Sequence, residues 1–368
     1  AKRRNMQTTT ELEHQNAIRP EMIELRRRML GLSQTELAAR VGIVQGTLSK
    51  IEQGLKPVTI EQLPLFADAL SCHPSFFSLP ERLYGGPISA NPMYRKKASV
   101  GLKVLDRLLA EMNVRIGHIR KLMQFVDYRP ELPLPFYDLD DYEGDPTKIA
   151  ENVRRAWYMP NGPVRNLVEW LERAGIIIVE CDMDDAGLSG VSYHIHGLPP
   201  LVFINKNQPM DRYRFTLAHE LGHLVMHKIP NPSMEEEANM FAAELLMPGR
   251  EIAPYLQDLT IEQAAYMKPF WRVSMAALIY RAKVLKQISY GQYEYIWRQM
   301  SARRYRINEP VQLEQQGESP SLLPELFKQM KEDMDYSPDE ITQVLGLHYS
   351  ELNQLYGFEQ ERRLRLVR

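Results

Sequence analysis

Two histidines one helical turn apart, with a glutamate beside the first, are the part of this sequence best suited to chemistry. Residues 219–223 read His-Glu-Leu-Gly-His. On a helix His219 and His223 face the same way, so both imidazoles can bind one Zn²⁺ ion. Glu220 lies beside them, where its carboxylate can take a proton from a water at the metal. The spacing therefore predicts a metal site that carries its own general base.

A third protein ligand is needed, because catalytic zinc sites use three side chains and keep the fourth position open. Three consecutive acids, Glu235, Glu236 and Glu237, follow in a second predicted helix. Glu237 could supply the third ligand from that helix. The position left open for water and substrate would mark the site as catalytic rather than structural.

The other interpretation is a chance match on a buried helix. The surrounding residues argue against it, because Leu217, Leu221 and Leu224 form one apolar stripe and leave the histidines on a polar face. Gly222 leaves room for another element to approach closely. We therefore expect the motif to bind a metal.

Length and composition predict a globular protein of two or three domains. The chain has 368 residues, 44% hydrophobic and 25% charged, and its net charge of −2 does not by itself indicate nucleic-acid binding. The two cysteines, Cys72 and Cys181, are far apart, which argues against a disulfide framework and fits a reducing cytosol. We find neither an apolar run of membrane-spanning length nor a signal peptide. The sequence thus predicts a cytoplasmic protein without membrane association.

The N-terminal segment has the pattern of a helix-turn-helix. Helices are predicted over residues 20–30, 34–41 and 44–53, with Ser33 capping the second and Gly42 making the sharp turn after it. Two short helices joined through a glycine are typical of this motif, and the third helix is the one that would enter a major groove.

This segment resembles the XRE-type (lambda-repressor/Cro-like) DNA-binding domain. The resemblance is carried by residues 32–42, LSQTELAARVG, and 48–54, LSKIEQG. It implies a five-helix domain within residues 1–80, bound to a double-stranded operator. The residues it implies at the DNA are Gln34 near a phosphate and Gln45, Thr47 and Lys50 at base edges. The alternative is a domain kept only for contacts with proteins.

Residues 81–146 are predicted to be linker and one long helix. From 100 to 128 apolar residues alternate spacings of four and three, a heptad seam formed by Leu105, Leu109, Met112, Ile116, Ile119, Met123 and Val126. The seam could join two chains into a homodimer that suits a two-fold operator, or pack inside its own monomer. The acidic, proline-rich stretch 130–146 is predicted to be a second linker.

Residues 147–290 are predicted to fold as helices with a few strands, so the whole chain is expected to be mainly α with a small β-sheet (α+β). Here RFTLAHELGH at 214–223 and EANMFAAELLMP at 237–248 resemble the ImmA/IrrE metallopeptidase family. At the metal site the pattern is similar to thermolysin-like zincins, which carry a ligand Glu just before an Ala. The resemblance implies Zn²⁺, with Mn²⁺ as the other candidate ion. It implies that Glu237 is the third ligand, with Glu235 and Glu236 as the alternatives.

Four further residues are weaker candidates near this site. Glu244 shares a helix face with Glu237 and could orient a ligand histidine. His194, Tyr213 and His227 could assist the developing oxyanion, although a supporting or core role suits His227 better. A substrate backbone could lie along an edge strand near His194.

The C-terminal residues 291–368 are predicted to be helical, and part of them repeats the N-terminal motif. Residues 337–347 echo 33–43 at a constant offset. The helix expected next, 348–356, contains no Lys or Arg, so this module is predicted to pack or bind a partner rather than read DNA.

The combined resemblance implies a DNA-binding transcriptional regulator, like those of bacteria and phages, that carries a zinc endopeptidase. The implied substrate is a repressor or other regulator protein, or the chain itself. One alternative is a transcription factor whose peptidase-like domain senses or docks without proteolysis. Another is a component of a toxin–antitoxin or phage regulatory system.

Overall fold

The computed structural model describes residues 18–79, 101–313 and 318–358. The helices of the first half are α1 Pro20–Met29, α2 Gln34–Val41, α3 Gln45–Glu52, α4 Gln62–Ala69, α5 Leu102–Leu122, α6 Pro146–Ala156 and α7 Leu167–Arg173. Three strands follow: β1 Ile177–Cys181, β2 Gly190–Tyr193 and β3 Leu201–Asn205. The remaining helices are α8 Met210–Met226, α9 Met234–Leu246, α10 Gly249–Leu256, α11 Ile261–Trp271, α12 Met275–Val284, α13 Tyr290–Ala302, α14 Leu322–Asp333, α15 Pro338–Leu345 and α16 Tyr349–Tyr356. The predicted α+β class with a small sheet is confirmed.

The chain divides into two compact units, and the first is discontinuous in sequence. Of the described residues, 18–79, 101–128 and 321–358 form the first unit, while 129–313 and 318–320 form the second. These limits differ from the predicted boundaries at 146 and 290. The stretch expected to be a linker belongs to the second unit because its apolar residues, Leu132, Leu134 and Tyr137 among them, pack against that core.

The first helix-turn-helix forms for local reasons. Ser33 and Glu36 make a capping box at the start of α2, and Gly42 ends it with a left-handed φ of 76°. Leu37, Leu48 and Phe66 are fully buried beneath these helices. The exposed face of α3 is thereby held on a packed core.

The long helix α5 packs inside the first unit. At the centre of the predicted seam, Met112, Ile116 and Ile119 are at most 1% exposed within the single chain. Of the two arrangements expected for this seam, pairing of two chains or packing inside one monomer, the structure has the second. A homodimer formed through another surface stays a prediction.

The C-terminal helices repeat the geometry of α2 and α3. Ser337 and Glu340 form a capping box on α15, and Gly346 makes the left-handed turn before α16, with φ of 76°. A Cβ on Gly346 would lie 2.6 Å from Phe76 Cα, so only glycine lets this turn sit against the 3₁₀ helix Pro74–Ser78. The repeat therefore packs onto the 3₁₀ helix that follows α4.

The second unit is built around a three-stranded sheet in the order β1-β3-β2. β1 and β3 run parallel with Ile177 opposite Leu201, and β2 pairs with β3 antiparallel with Val191 opposite Phe203. The helix α8 packs on the sheet and on α9. Within the described residues, no helix is long and apolar enough to span a membrane.

Buried ion pairs anchor the first half of α8. Arg214 is 0% exposed, bonds to the buried carboxylate of Glu318 and donates Nε to the Arg272 carbonyl at 3.0 Å. One turn earlier, Asp211 accepts from the buried amine of Lys268 at 2.6 Å. Because unpaired buried charges are costly, these pairs constrain where the helix that carries the HExxH motif can lie.

Candidate metal centre and DNA interface

Two helices meet at the metal motif because a glycine lets them approach. α8 carries His219, Glu220 and His223, and α9 crosses it at Gly222. A Cβ on Gly222 would lie 3.1 Å from a ring carbon of Phe241 and 3.3 Å from a backbone atom of α9. The close approach places the first turn of α9 opposite the two histidines.

Three side chains converge at this crossing with the geometry of a metal site. The ligand atoms of His219, His223 and Glu235 all lie within 4.8 Å of one another. The two Nε2 atoms are 3.0 Å apart, and the Glu235 oxygens lie 3.4 and 3.5 Å from them. Tetrahedral zinc with bonds near 2.0–2.2 Å places ligand atoms about 3.3–3.6 Å apart, which the Glu235 distances match, while the two Nε2 atoms lie somewhat closer together. Glu235 Oε1 is also buried without a hydrogen-bond partner, which suits an atom meant for a metal.

Glu237, predicted as the third ligand, lies elsewhere in the structure. Its Oε2 is 2.9 Å from His227 Nε2 and accepts from the Asn231 amide at 3.2 Å. Two residues along a helix turn the side chain through about 200°, so Glu235 and Glu237 cannot face the same way. The geometry therefore favours Glu235, one of the two reserve acids, and leaves Glu236 exposed.

Asn239 was not singled out from the sequence, yet it supports the site. Its Oδ1 lies 3.0 Å from His219 Nδ1, which holds that ring with Nε2 towards the ligand cluster. The available signal was spacing, because Asn239 follows Glu235 by four residues and shares its helix face.

Burial and neighbouring charges set the protonation of the two histidines. Burial lowers the pKa of His223 to about 2, and the nearby imidazoles of His219 and His227 add to this. Burial also opposes protonation of His219, but its hydrogen bond to Glu235 and the charges of Glu220 and Glu235 outweigh that effect, so the pKa of His219 is raised. His223 is thus a neutral imidazole at physiological pH, the form that binds metals.

Glu220, the candidate general base, is buried in the second unit. Its residue is 3% exposed and follows the first ligand histidine directly. β2 passes close to it, because a Cβ on Gly190 would lie 3.4 Å from Glu220 Cγ and 2.6 Å from a methyl of Thr216. The carboxylate is therefore enclosed between α8 and the sheet.

The other candidate residues are placed less favourably. Glu244 forms a buried ion pair with Arg281 and accepts from the Gly249 amide at 2.9 Å, at the far end of α9 from the ligands. Tyr213 is buried and donates its hydroxyl to Glu180 at 3.1 Å, and burial together with Glu180 raises its pKa. His194 is exposed directly after β2.

The predicted DNA-contacting residues lie on α2 and α3 of the first unit. Gln45, at the start of α3, is exposed and donates Nε2 to Gln34 Oε1 at 2.7 Å. Gln34 in turn donates to Glu52 at 2.7 Å, and Arg27 holds that carboxylate at 2.6 Å. Lys50 is exposed and Thr47 is half-buried on the same helix. The network restrains the side chain of Gln45, which is exposed to solvent.

Comparison with known families identifies the class of each unit. Residues 23–77 match the model described as a helix-turn-helix, and residues 171–283 match the peptidase M78 model described as an IrrE N-terminal-like domain. The chain therefore carries a DNA-binding domain of the helix-turn-helix type and a metallopeptidase-type domain, and both predicted resemblances are confirmed.

One characterised relative is the metallopeptidase ImmA of Bacillus subtilis (strain 168). It is 30% identical over 116 residues, which cover 27% of this chain and 66% of ImmA. The chain thus spans just under two thirds of that relative's length.

Proposed function

We propose that this protein is a DNA-binding regulator whose second unit is a zinc-dependent endopeptidase. The substrate class is a regulator or repressor protein, or this chain itself. The observation that carries the proposal is the convergence of His219, His223 and Glu235 on one point, with Glu220 beside them on the same helix. The donor set, two imidazoles and a carboxylate, suits Zn²⁺ and accommodates Mn²⁺.

The chain's own residues supply binding, orientation and proton transfer. When bound, Zn²⁺ supplies a Lewis acid that polarises a peptide carbonyl and lowers the pKa of water. The Glu220 carboxylate accepts the proton of the attacking water and returns it to the leaving amine. The substrate chain is expected near β2 and His194, since β2 lies against Glu220.

In the first unit we propose that α3 reads an operator. Gln45, positioned by Gln34, would pair with adenine, and Lys50 would contact guanine or a phosphate. Thr47, on the same helix, would touch a thymine methyl. A peptidase attached to a DNA-binding domain would act where its regulator substrate is bound.

Cleavage is tested with the full-length protein loaded with zinc. The wild type is incubated alone and with a peptide library prepared from a bacterial proteome, and new termini are identified by mass spectrometry. Glu220→Gln should abolish the cuts while keeping bound zinc, whereas Glu235→Ala and His223→Ala should lose the zinc. Identical cleavage patterns for the wild type and Glu220→Gln would overturn the peptidase proposal.

DNA binding is tested separately by selecting bound sequences from random duplexes. Lys50→Ala should weaken binding to the selected operator, and Glu220→Gln should leave it unchanged. A protein that binds its operator and zinc but cuts nothing would be a regulator whose second unit senses or docks.

A further inference from the structure

A hydrogen-bonded chain of side chains leads away from the second ligand histidine. His223 Nδ1 lies 2.9 Å from His227 Nδ1, and His227 Nε2 lies 2.9 Å from Glu237 Oε2. The two histidines are 3% and 7% exposed. Asn231 donates to the same oxygen of Glu237 at 3.2 Å and so holds that carboxylate in place. The path is continuous from the metal site to a negative charge beyond it.

Only one arrangement of protons along this path is compatible with metal binding. His223 Nε2 faces His219 and Glu235, so it must offer a lone pair, and the proton of His223 then sits on Nδ1. His227 Nδ1 must accept that proton, which places the proton of His227 on Nε2. The ionised carboxylate of Glu237 can only accept, so the chain ends with every donor matched to an acceptor.

We propose that His227 and Glu237 are positioning residues for His223, a role that rests on the proposed metallopeptidase function. Ligand histidines in metal sites donate their second ring nitrogen to a carboxylate, carbonyl or water, which sets the tautomer and raises basicity. In this protein a second imidazole is inserted between the ligand and the carboxylate. The insertion accounts for an acidic side chain, Glu237, that lies beside the site yet faces away from the ligand cluster.

The two ligand histidines are consequently held in different ways. His219 donates to the neutral amide oxygen of Asn239, an exposed residue. His223 donates into a buried path that ends on a carboxylate. Loss of the charged path should therefore weaken the metal site more than loss of the amide.

Zinc affinity of the full-length chain tests the positioning role. The metal-free protein is titrated with Zn²⁺ in competition with a chromogenic chelator. His227→Phe should weaken zinc binding about 10- to 100-fold, and Glu237→Gln should weaken it less, since the amide oxygen still accepts. His227→Gln should restore part of the loss, because its amide can accept from His223 and donate to Glu237. Glu236→Gln, the same charge change on the exposed neighbour, is the matched control and should bind like the wild type.

Two spectroscopic readouts separate positioning from a general loss of folding. Cobalt-loaded protein should show an altered visible absorption in His227→Phe, because the ring of His223 is no longer fixed. In protein labelled with ¹⁵N at histidine, the proton of His227 should sit on Nε2, both with and without metal.

Three results would overturn the proposal. Zinc affinity equal to the wild type in His227→Phe would remove the positioning role. Loss of zinc in Glu237→Ala together with retention in Glu235→Ala would make Glu237 a ligand. A His227 proton on Nδ1 would break the path, whether or not the chain binds zinc. A wild type that does not bind zinc but keeps the proton of His227 on Nε2 would overturn only the metallopeptidase function.

Discussion

Mild acid should loosen the first unit, because this unit buries a neutral histidine. His118 on α5 is 0% exposed, with Nδ1 2.8 Å from the Tyr356 hydroxyl and Nε2 2.9 Å from the Leu345 carbonyl. The carbonyl can only accept, so Nε2 carries the proton and Nδ1 accepts from the tyrosine. Burial, reinforced by the charge of Arg115, lowers the pKa of His118 from 6.5 to about 3.

The direction and size of the effect follow from this difference in pKa. Below pH 6.5 the unfolded chain takes up a proton at His118 and the folded chain does not, so the free energy of unfolding falls as the pH falls from 6.5 towards 3. At about 1.36 kcal/mol per pKa unit, the loss is on the order of 1 kcal/mol at pH 5.5 and approaches 5 kcal/mol near pH 3. The helices α15 and α16 should separate from α5 first, since His118 joins them to it.

Hydrogen–deuterium exchange measured by mass spectrometry can follow this unit alone. Peptides from α5 and α16 should exchange faster at pH 5.5 than at pH 7 after correction for the intrinsic rate. All four tryptophans, Trp157, Trp170, Trp271 and Trp297, belong to the second unit, so their fluorescence reports on the other half of the protein.

His118→Gln keeps both hydrogen bonds without a titrating group and should lose the pH dependence. His348→Gln, at an exposed histidine of the same unit, is the matched control and should keep it. Equal protection of α5 at both pH values, or an unchanged pH dependence in His118→Gln, would refute the reasoning.

Two glycine substitutions test the helix crossings. Gly222→Ala should push α8 away from α9 at Phe241, lower the free energy of unfolding of the second unit by about 1–3 kcal/mol and weaken zinc binding. Thermal unfolding and chelator competition measure these two effects. Unchanged zinc affinity would contradict the proposed role of the crossing. Gly346→Ala combines a positive φ with a 2.6 Å clash at Phe76, so it should destabilise the first unit by about 1–3 kcal/mol or more and reduce operator binding. Wild-type exchange rates in α15 and α16 of this variant would argue against that packing.

The helix-turn-helix was predictable because its signals are local. Ser33 with Glu36, and Gly42 after the helix, specify a start, an end and a left-handed turn within ten residues or so. The same signals recur at Ser337 and Gly346, so the repeat could be found without any long-range information.

Domain limits and helix partners were less predictable, since they depend on contacts distant in sequence. The apolar seam of α5 fits a coiled coil equally well, and only the burial of Ile116 and Ile119 inside one chain distinguishes the two. Arg26 on α1 binds Glu351 at 2.7 and 2.8 Å across most of the chain. No local sequence pattern predicts such an ion pair.

The metal site depends on both local sequence and tertiary contacts. The spacing of His219, Glu220 and His223 by itself determined a metal face and its base, because helical geometry places residues four apart on one side. Which acid completes the site was decided only by tertiary structure. The close crossing at Gly222 fixes the rotation of α9, so that Glu235 meets the histidines and Glu237 turns to His227.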